Sequence, residues 1–514
     1  MEQPIVEFHY DVRNPTVIDR LNPWPLTAQN NQISCPFAYI ASTKIDALAL
    51  RTGAHILWRP VLLGAIYRAT SAPQGAAGSA SDVFNATKKS VSGRAFQRTI
   101  RRLGVEYNQP PRHPMKTTRA LRVLYFATEE QRPVLSKALF RAYWVEGLDV
   151  SDADVLVDVV KRSGIAGAVA VVQAIESGRA ESPVQRRGLE ESTDLVVRRG
   201  SPGVPAFWLP AEKWIDEKGV RRQGRLYWGQ DRMHFVEAVL RGSNGGKDGT
   251  ELGSLSPPLQ SLIPRSAARS RVPEAVEVKL EFWYDFSSPW AFLGWTQLAR
   301  LQRQFGSRLH VEMKPFLLGI LFREIGAPNT PMSSISEQKR NYSRLDHQDW
   351  CRWWNAVNEQ NGKPDKPIEF YWADKFPIRT PTVLRAVLVE PRLVTPLFRA
   401  CWEQNRDMSS DDVLQQVITA AGFDGRAILS LANSDRYKKA LRSLTQEAKQ
   451  IGLCGVPSYR VFTRSSSDDG PWIQVGDLVW GQDELAVVED LIAGGSDTDL
   501  ARVEADEGRA MSRL

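Results

Sequence analysis

Hydrophobic and polar positions alternate along this chain in an order that occurs twice. In the second half, the run "VKLEFWYDF" reads as a buried strand that stops at Asp285 and turns. After a short turn a helix opens at Pro289 and continues through "AFLGWTQLARLQRQF". Proline suits the first helical turn, where its missing N–H would have gone unpaired. Next come a strand ("LHVEMKPF"), then "RNYSRLDHQDWCRWWNAV" and "LVTPLFRACWEQ" with apolar residues at helical spacing, then two strands and a last helix. The first half follows the same order, with "HILWRPV" as its second strand. The aromatic stripe Trp350, Trp353 and Trp354 is expected in a core or domain interface.

The repetition extends to identities. "ALFRAYWVEGLDVSDADVLVDVV" from Ala138 matches "PLFRACWEQNRDMSSDDVLQQVI" from Pro396 almost position for position. "RPVLLGAIYR" at Arg59 matches "KPFLLGILFR" at Lys314, "GVPAFWL" at Gly203 matches "GVPSYRV" at Gly455, and "YWGQDRMHFVEAVL" at Tyr227 matches "VWGQDELAVVEDLI" at Val479. Two copies of one unit are fused. The boundaries read as a first domain over 1–241, a Gly-, Ser- and Pro-rich flexible linker over 242–275, a second domain over 276–496 and a tail over 497–514.

Ser288 stands at a helix N-terminus, where free N–H groups and the positive end of the dipole stabilise an anion such as a thiolate. Ser-Pro is also an ordinary start for a capped helix. The stretch "WYDFSSPWAFLGW" resembles the kappa-class glutathione transferases and 2-hydroxychromene-2-carboxylate isomerases, within the DsbA-like superfamily. The resemblance implies an α/β protein with two thioredoxin-fold domains, each a βαβ half and a ββα half separated by a helical insertion. It further implies glutathione as cofactor, with Ser288 hydrogen-bonded to its thiolate and Ser287, Pro289 and Trp290 around it. Pro457, with Val456 before it, resembles the cis-proline whose neighbouring backbone pairs with the cysteinyl part of glutathione. Gln482 and Asp483 resemble the pair holding the γ-glutamyl end, although an acid there is also an N-cap. Asn329 resembles an asparagine near the glutathione backbone, in a register fixed to within a residue or two.

The first copy departs from this pattern. Cys35 takes the place of Ser288, and Ala38 stands where a dithiol oxidoreductase keeps its second cysteine. Val204, Pro205, Asp231 and Arg232 fill the remaining positions, but nothing matches the "NTP" that contains Asn329. The preferred reading is a degenerate domain; a monothiol site at Cys35 stays open. Three positions separate Asp285 from Ser288 but twenty-four separate Asp11 from Cys35. The additional residues, 12–32, are an atypical insertion. Its length and ends suit a retained intron, and sequencing the transcript tests that origin.

Composition excludes several classes. The chain has 514 residues, ordinary hydrophobic and charged content, and no apolar run long enough to cross a bilayer. Cys35, Cys351, Cys401 and Cys454 show no paired spacing, so neither a disulfide framework nor a zinc site is indicated, and the six histidines show no metal spacing. A reduced intracellular protein without a signal segment is expected. The net charge of +7 is scattered, which suits anionic small molecules better than nucleic acid. Ser512-Arg513-Leu514 resembles a peroxisomal address, making an import receptor a partner, with cytoplasm or mitochondrion as alternatives.

The expected function is a glutathione-dependent transferase or isomerase, with the thiolate adding to a hydrophobic, electrophilic, aromatic or quinone-like molecule. The alternatives are thiol–disulfide exchange through Cys35 and a non-catalytic binding scaffold. The two copies are expected to imitate a homodimer within one chain.

Overall fold

The computed structural model describes residues 3–11, 35–73, 83–111, 113, 116–216, 219–242, 252–266, 271–362, 366–466 and 470–503. The insertion read at 12–32 and the C-terminal tripeptide lie outside them. The chain forms two compact units. The first comprises Met1–Val83, Val105–Leu255 and Ile335–Asp346; the second comprises Phe84–Gly104, Ser256–Ser334 and His347–Leu514.

The first unit contains β1 (Ile5–Tyr10), α1 (Pro36–Thr52), β2 (His55–Pro60) and α2 (Leu63–Ala69). The next helix in the chain, α3 (Ala86–Leu103), belongs to the second unit. The helical insertion is α4 (Thr118–Phe126), α5 (Gln131–Trp144), α6 (Ala153–Arg162), α7 (Ala168–Glu176) and α8 (Pro183–Arg198). It is followed by β3 (Ala206–Ile215), β4 (Arg221–Trp228) and α9 (Met233–Gly242). The sheet order is β2-β1-β3-β4, with β1 parallel to β2 and antiparallel to β3. A parallel βαβ half and an antiparallel ββα half therefore share one mixed sheet.

The second unit repeats the plan with β5 (Val276–Tyr284), α10 (Pro289–Thr296), α11 (Leu298–Phe305), β6 (Leu309–Pro315) and α12 (Leu318–Glu324). Its helical part runs through α13 (Glu337–Gln360), α14 (Pro381–Val389), α15 (Val394–Trp402), α16 (Asp411–Ala420), α17 (Gly425–Ala432) and α18 (Asp435–Gln450). It closes with β7 (Ser458–Ser465), β8 (Ile473–Trp480) and α19 (Leu485–Ile492), in the sheet order β6-β5-β7-β8. β5 alternates apolar and charged residues from Val276 to Phe282, and the alternation stops at Phe282-Trp283-Tyr284 because all three are fully buried.

Three features differ from the sequence reading. The helix expected from Pro289 to Phe305 divides at Gln297, whose N–H bonds the Gly294 carbonyl at 3.2 Å and tightens the turn into a 3₁₀ step. Part of the stretch read as flexible linker is packed: Leu259 and Leu262 are buried, and Arg265 pairs with Glu489 and Asp490. Thirdly, each unit is completed by the segment that follows the "LLG" helix of the other repeat. In the second unit α3 is held by Arg102 to Asp490 at 2.6 Å and by Arg98 to Glu484 at 3.4 Å. In the first unit, Ile335–Asp346 is held by a bidentate pair from Arg232 to Asp346 at 2.7 and 2.9 Å, and by Trp228 N–H to the Tyr342 hydroxyl at 2.8 Å.

Candidate active site

The site in the second unit forms where β5 ends. Asp285 is buried, and its carboxylate accepts from Ser287 N–H at 2.9 Å and from Leu318 N–H at 2.9 Å. It thereby shapes the turn before α10 and caps the start of α12. Burial pushes its pKa up, while hydrogen bonds from Ser287, Leu318 and Thr380 act in the opposite direction. Asp11 makes the corresponding cap on α2 in the first unit, accepting from Leu63 N–H at 2.7 Å. The sequence reading placed no function on either aspartate, although both stand at the same step of the repeat.

Ser288 is the N-cap of α10, its Oγ accepting from Ala291 N–H at 3.2 Å. An accepting hydroxyl keeps its proton to donate. Pro289 has no N–H and Ala291's is taken, which leaves Trp290 N–H as the first-turn donor with no partner among the described residues. Trp290 lies edge-on to His347, with ring centroids 5.0 Å apart. His347 Nε2 faces the Pro289 carbonyl at 3.1 Å. A carbonyl only accepts, so Nε2 carries the proton and Nδ1 is left as an acceptor, 3.7 Å from the Cys351 thiol. Burial holds the His347 pKa down at about 3, so the ring is neutral at physiological pH.

The loop facing the helix is Gly455-Val456-Pro457, with Val456–Pro457 in the cis form, as is Val204–Pro205. Gly294 on α10 makes this approach possible: a Cβ there would lie 2.5 Å from the Tyr459 hydroxyl and 3.0 Å from Pro457 Cγ. Among the described residues, neither the N–H nor the carbonyl of Val456 has a hydrogen-bond partner. After β8, the turn Gln482–Glu484 packs against α10. Gln482 is buried, and its Oε1 accepts from Trp354 Nε1–H at 2.6 Å. That bond fixes the amide orientation, and the Nε2 donor is left buried without a partner. Trp354, expected in a core or domain interface, is buried and also orients a candidate ligand group. Asp483 is half-buried, whereas Asn329 is exposed and nothing among the described contacts ties it to Ser288.

In the first unit the same positions are arranged differently. Cys35 caps α1 and is buried, its thiol donating to the Val204 carbonyl at 3.0 Å. Burial pushes its pKa up to about 12, outweighing the N–H groups of Ala38 and Phe37. Gln230, the counterpart of Gln482, accepts from Lys44 Nζ at 2.6 Å. Arg232 is engaged with both Asp231 and Asp346. All four cysteines are free and buried, and no cluster of metal-ligating groups occurs among the described residues. No helix among them is long and apolar enough to cross a membrane.

Two mixed four-stranded sheets, each carrying a helical insertion and a helix N-terminus opposite a cis-proline loop, define a pair of thioredoxin-fold domains. The DSBA-like thioredoxin domain matches the chain twice, over residues 32–241 and 279–493, and the chain belongs to that family. No curated protein matches. Among solved structures, a 2-hydroxychromene-2-carboxylate isomerase is 18% identical, with a TM-score of 0.32 over 42% of this chain and 94% of that one. A probable DsbA oxidoreductase from Streptomyces coelicolor is 17% identical, with a TM-score of 0.28 over 42% and 90%. DsbA from Pseudomonas aeruginosa is 12% identical, with a TM-score of 0.24 over 49% and 94%. At these values the likenesses carry no argument about activity.

Proposed function

We propose that the second unit binds glutathione and acts as a glutathione-dependent transferase or isomerase on a hydrophobic, electrophilic small molecule. The observation that carries this reading is the orphaned Gln482 Nε2–H, pinned by Trp354 in the turn against α10. A buried donor without an acceptor costs about 1–3 kcal/mol, which a ligand carboxylate would recover. The γ-glutamyl carboxylate suits Gln482, its amine suits Asp483, and the cysteinyl backbone suits the open N–H and carbonyl of Val456. When bound, glutathione supplies the thiolate that adds to an electrophilic carbon. Ser288 O–H donates to that sulfur, and the Trp290 N–H and the α10 dipole stabilise its negative charge. Neutral His347 holds the Pro289 carbonyl and adds no competing charge.

Thiol–disulfide exchange through Cys35 is the weaker alternative, since it needs a thiolate that burial disfavours and Ala38 offers no second thiol. Ser512-Arg513-Leu514 supports recognition by a peroxisomal import receptor, and a fluorescent fusion with and without the tripeptide tests it. For the site itself, glutathione is titrated into the full chain and its Ser288→Ala variant by calorimetry, while thiolate absorbance is followed across pH. A bound thiol pKa lowered in the parent and raised in the variant supports the enzyme. Binding without a pKa shift reduces the site to a binding module, and absence of binding overturns the reading.

A further inference from the structure

At the C-terminal end of α10, beside α11 and the edge strand β6, lies a cavity of about 450 Å³ within the second unit. Its apolar wall includes Trp295, Val311 and Ile368. Trp295 follows Ser288 by seven positions, about 10 Å along the helix, so this cavity is separate from the Ser288 turn. Its shape is held firmly. Trp295 stacks on Phe398 with ring centroids 5.1 Å apart, and Asn355 clasps Ile368 through both its N–H (2.7 Å) and its carbonyl (3.0 Å).

The polar groups of this cavity are unsatisfied in a consistent sense. Asn358 is only 3% exposed, and its Oδ1 is a buried acceptor with no hydrogen-bond partner among the described residues. Arg399 Nε is likewise buried without a hydrogen bond, lying 3.9 Å from Glu403 Oε2. Arg303, Lys366 and Arg399 line the cavity with one carboxylate, Glu403, which Lys366 engages at 3.2 Å while also pairing with Glu369 at 3.0 Å, so three cations meet two carboxylates and one positive charge is in excess. The lining therefore lacks one anion and one donor, beside an apolar surface. Cavities of this size with few convergent polar groups suit small organic ligands.

We propose that this cavity is a ligand site for an amphipathic organic anion, a carboxylate or sulfonate on an apolar body that also bears an N–H or O–H. The anion pairs with Arg399 and the surplus positive charge, the donor serves Asn358 Oδ1, and the body lies along Trp295 and Ile368. This site is independent of the glutathione reading.

The probe is 8-anilinonaphthalene-1-sulfonate, an aryl sulfonate with one N–H, titrated by fluorescence into the full-length protein. Two variants test the location: Arg399→Gln removes the cation, and Thr395→Trp fills the mouth from an exposed position on α15. Far-ultraviolet circular dichroism checks that each variant is folded. The expected result is saturable binding, weakened about tenfold or more in both variants. Binding is expected to be unchanged in Ser288→Ala and in saturating glutathione. No saturable binding, binding in either cavity variant as tight as in the parent, or loss of the dye on adding glutathione would each overturn the proposal.

Discussion

The Cys35 thiol donates to the Val204 carbonyl at 3.0 Å, while the corresponding Val456 carbonyl has no partner among the described residues. Two copies of one loop thus differ in a way that bears directly on chemistry. In the first unit the protein's own thiol occupies the carbonyl whose counterpart the proposed glutathione site of the second unit leaves open. With its pKa near 12, Cys35 is expected to react slowly with iodoacetamide at neutral pH, and Cys35→Ser to leave glutathione binding at the second unit unchanged. Mass spectrometry of timed alkylation checks this; rapid labelling of Cys35 in the native protein would contradict it.

Trp354→Phe removes the N–H that orients Gln482 while keeping an aromatic side chain in place. Glutathione affinity is expected to fall about tenfold, the equivalent of one hydrogen bond to a charged group. The bound thiol pKa should stay where it is, because Ser288 and the α10 N-terminus are untouched. Calorimetry beside thiolate absorbance separates the two effects, and a changed pKa with unchanged affinity would reverse the assignment.

Gly294→Ala would place a methyl group 2.5 Å from the Tyr459 hydroxyl. A destabilisation of about 1–3 kcal/mol is expected from this overpacking. Tyr459→Phe removes the oxygen, and because that hydroxyl has no hydrogen-bond partner, little is lost with it. The double variant should therefore recover part of the stability in urea unfolding. Simple addition of the two single effects would show that the close contact is not the cause.

His347 remains neutral when folded, with a pKa of about 3 against 6.5 for an ordinary histidine. Between those values the unfolded chain binds the additional proton, so stability is complete above about pH 6.5 and declines as pH falls towards 3. At about pH 5 the loss from this one buried residue is of order 2 kcal/mol. His347→Gln keeps an N–H for the Pro289 carbonyl and does not titrate. Urea midpoints at neutral and mildly acidic pH should differ less for the variant than for the parent, and an unchanged difference would rule His347 out as a contributor.

Arg102 and Asp490 pair at 2.6 Å and are both buried. Arg102→Ala should cost about 1–3 kcal/mol, moderated because Arg265 also pairs with Asp490. Since Arg102 lies on α3, a fragment spanning Val276 to Leu514 lacks this contact altogether. It is expected to unfold at lower urea than the second unit does in the full chain. The fragment also lacks the packed Leu259–Arg265 stretch, so equal midpoints would mean that neither it nor α3 contributes to that unit.

The tandem repeat, the strand and helix order and the Ser-Pro turn were legible along the chain because each depends on near neighbours. Apolar spacing declares strand or helix within a few residues, and Pro289 marks a helix start wherever the helix goes. The position of Gln482 was also legible, but not the direction of its amide, which Trp354 sets from 128 residues away. Likewise a cysteine at a helix start suggests a lowered pKa, and only the packing around Cys35 reverses the sign, because desolvation depends on everything that excludes water. The assignment of α3 to the second unit rests on a pair 388 residues apart in the chain. Local periodicity carries no trace of such a partner; the tertiary structure selects it, because a buried charge must meet its opposite wherever the fold brings one within reach.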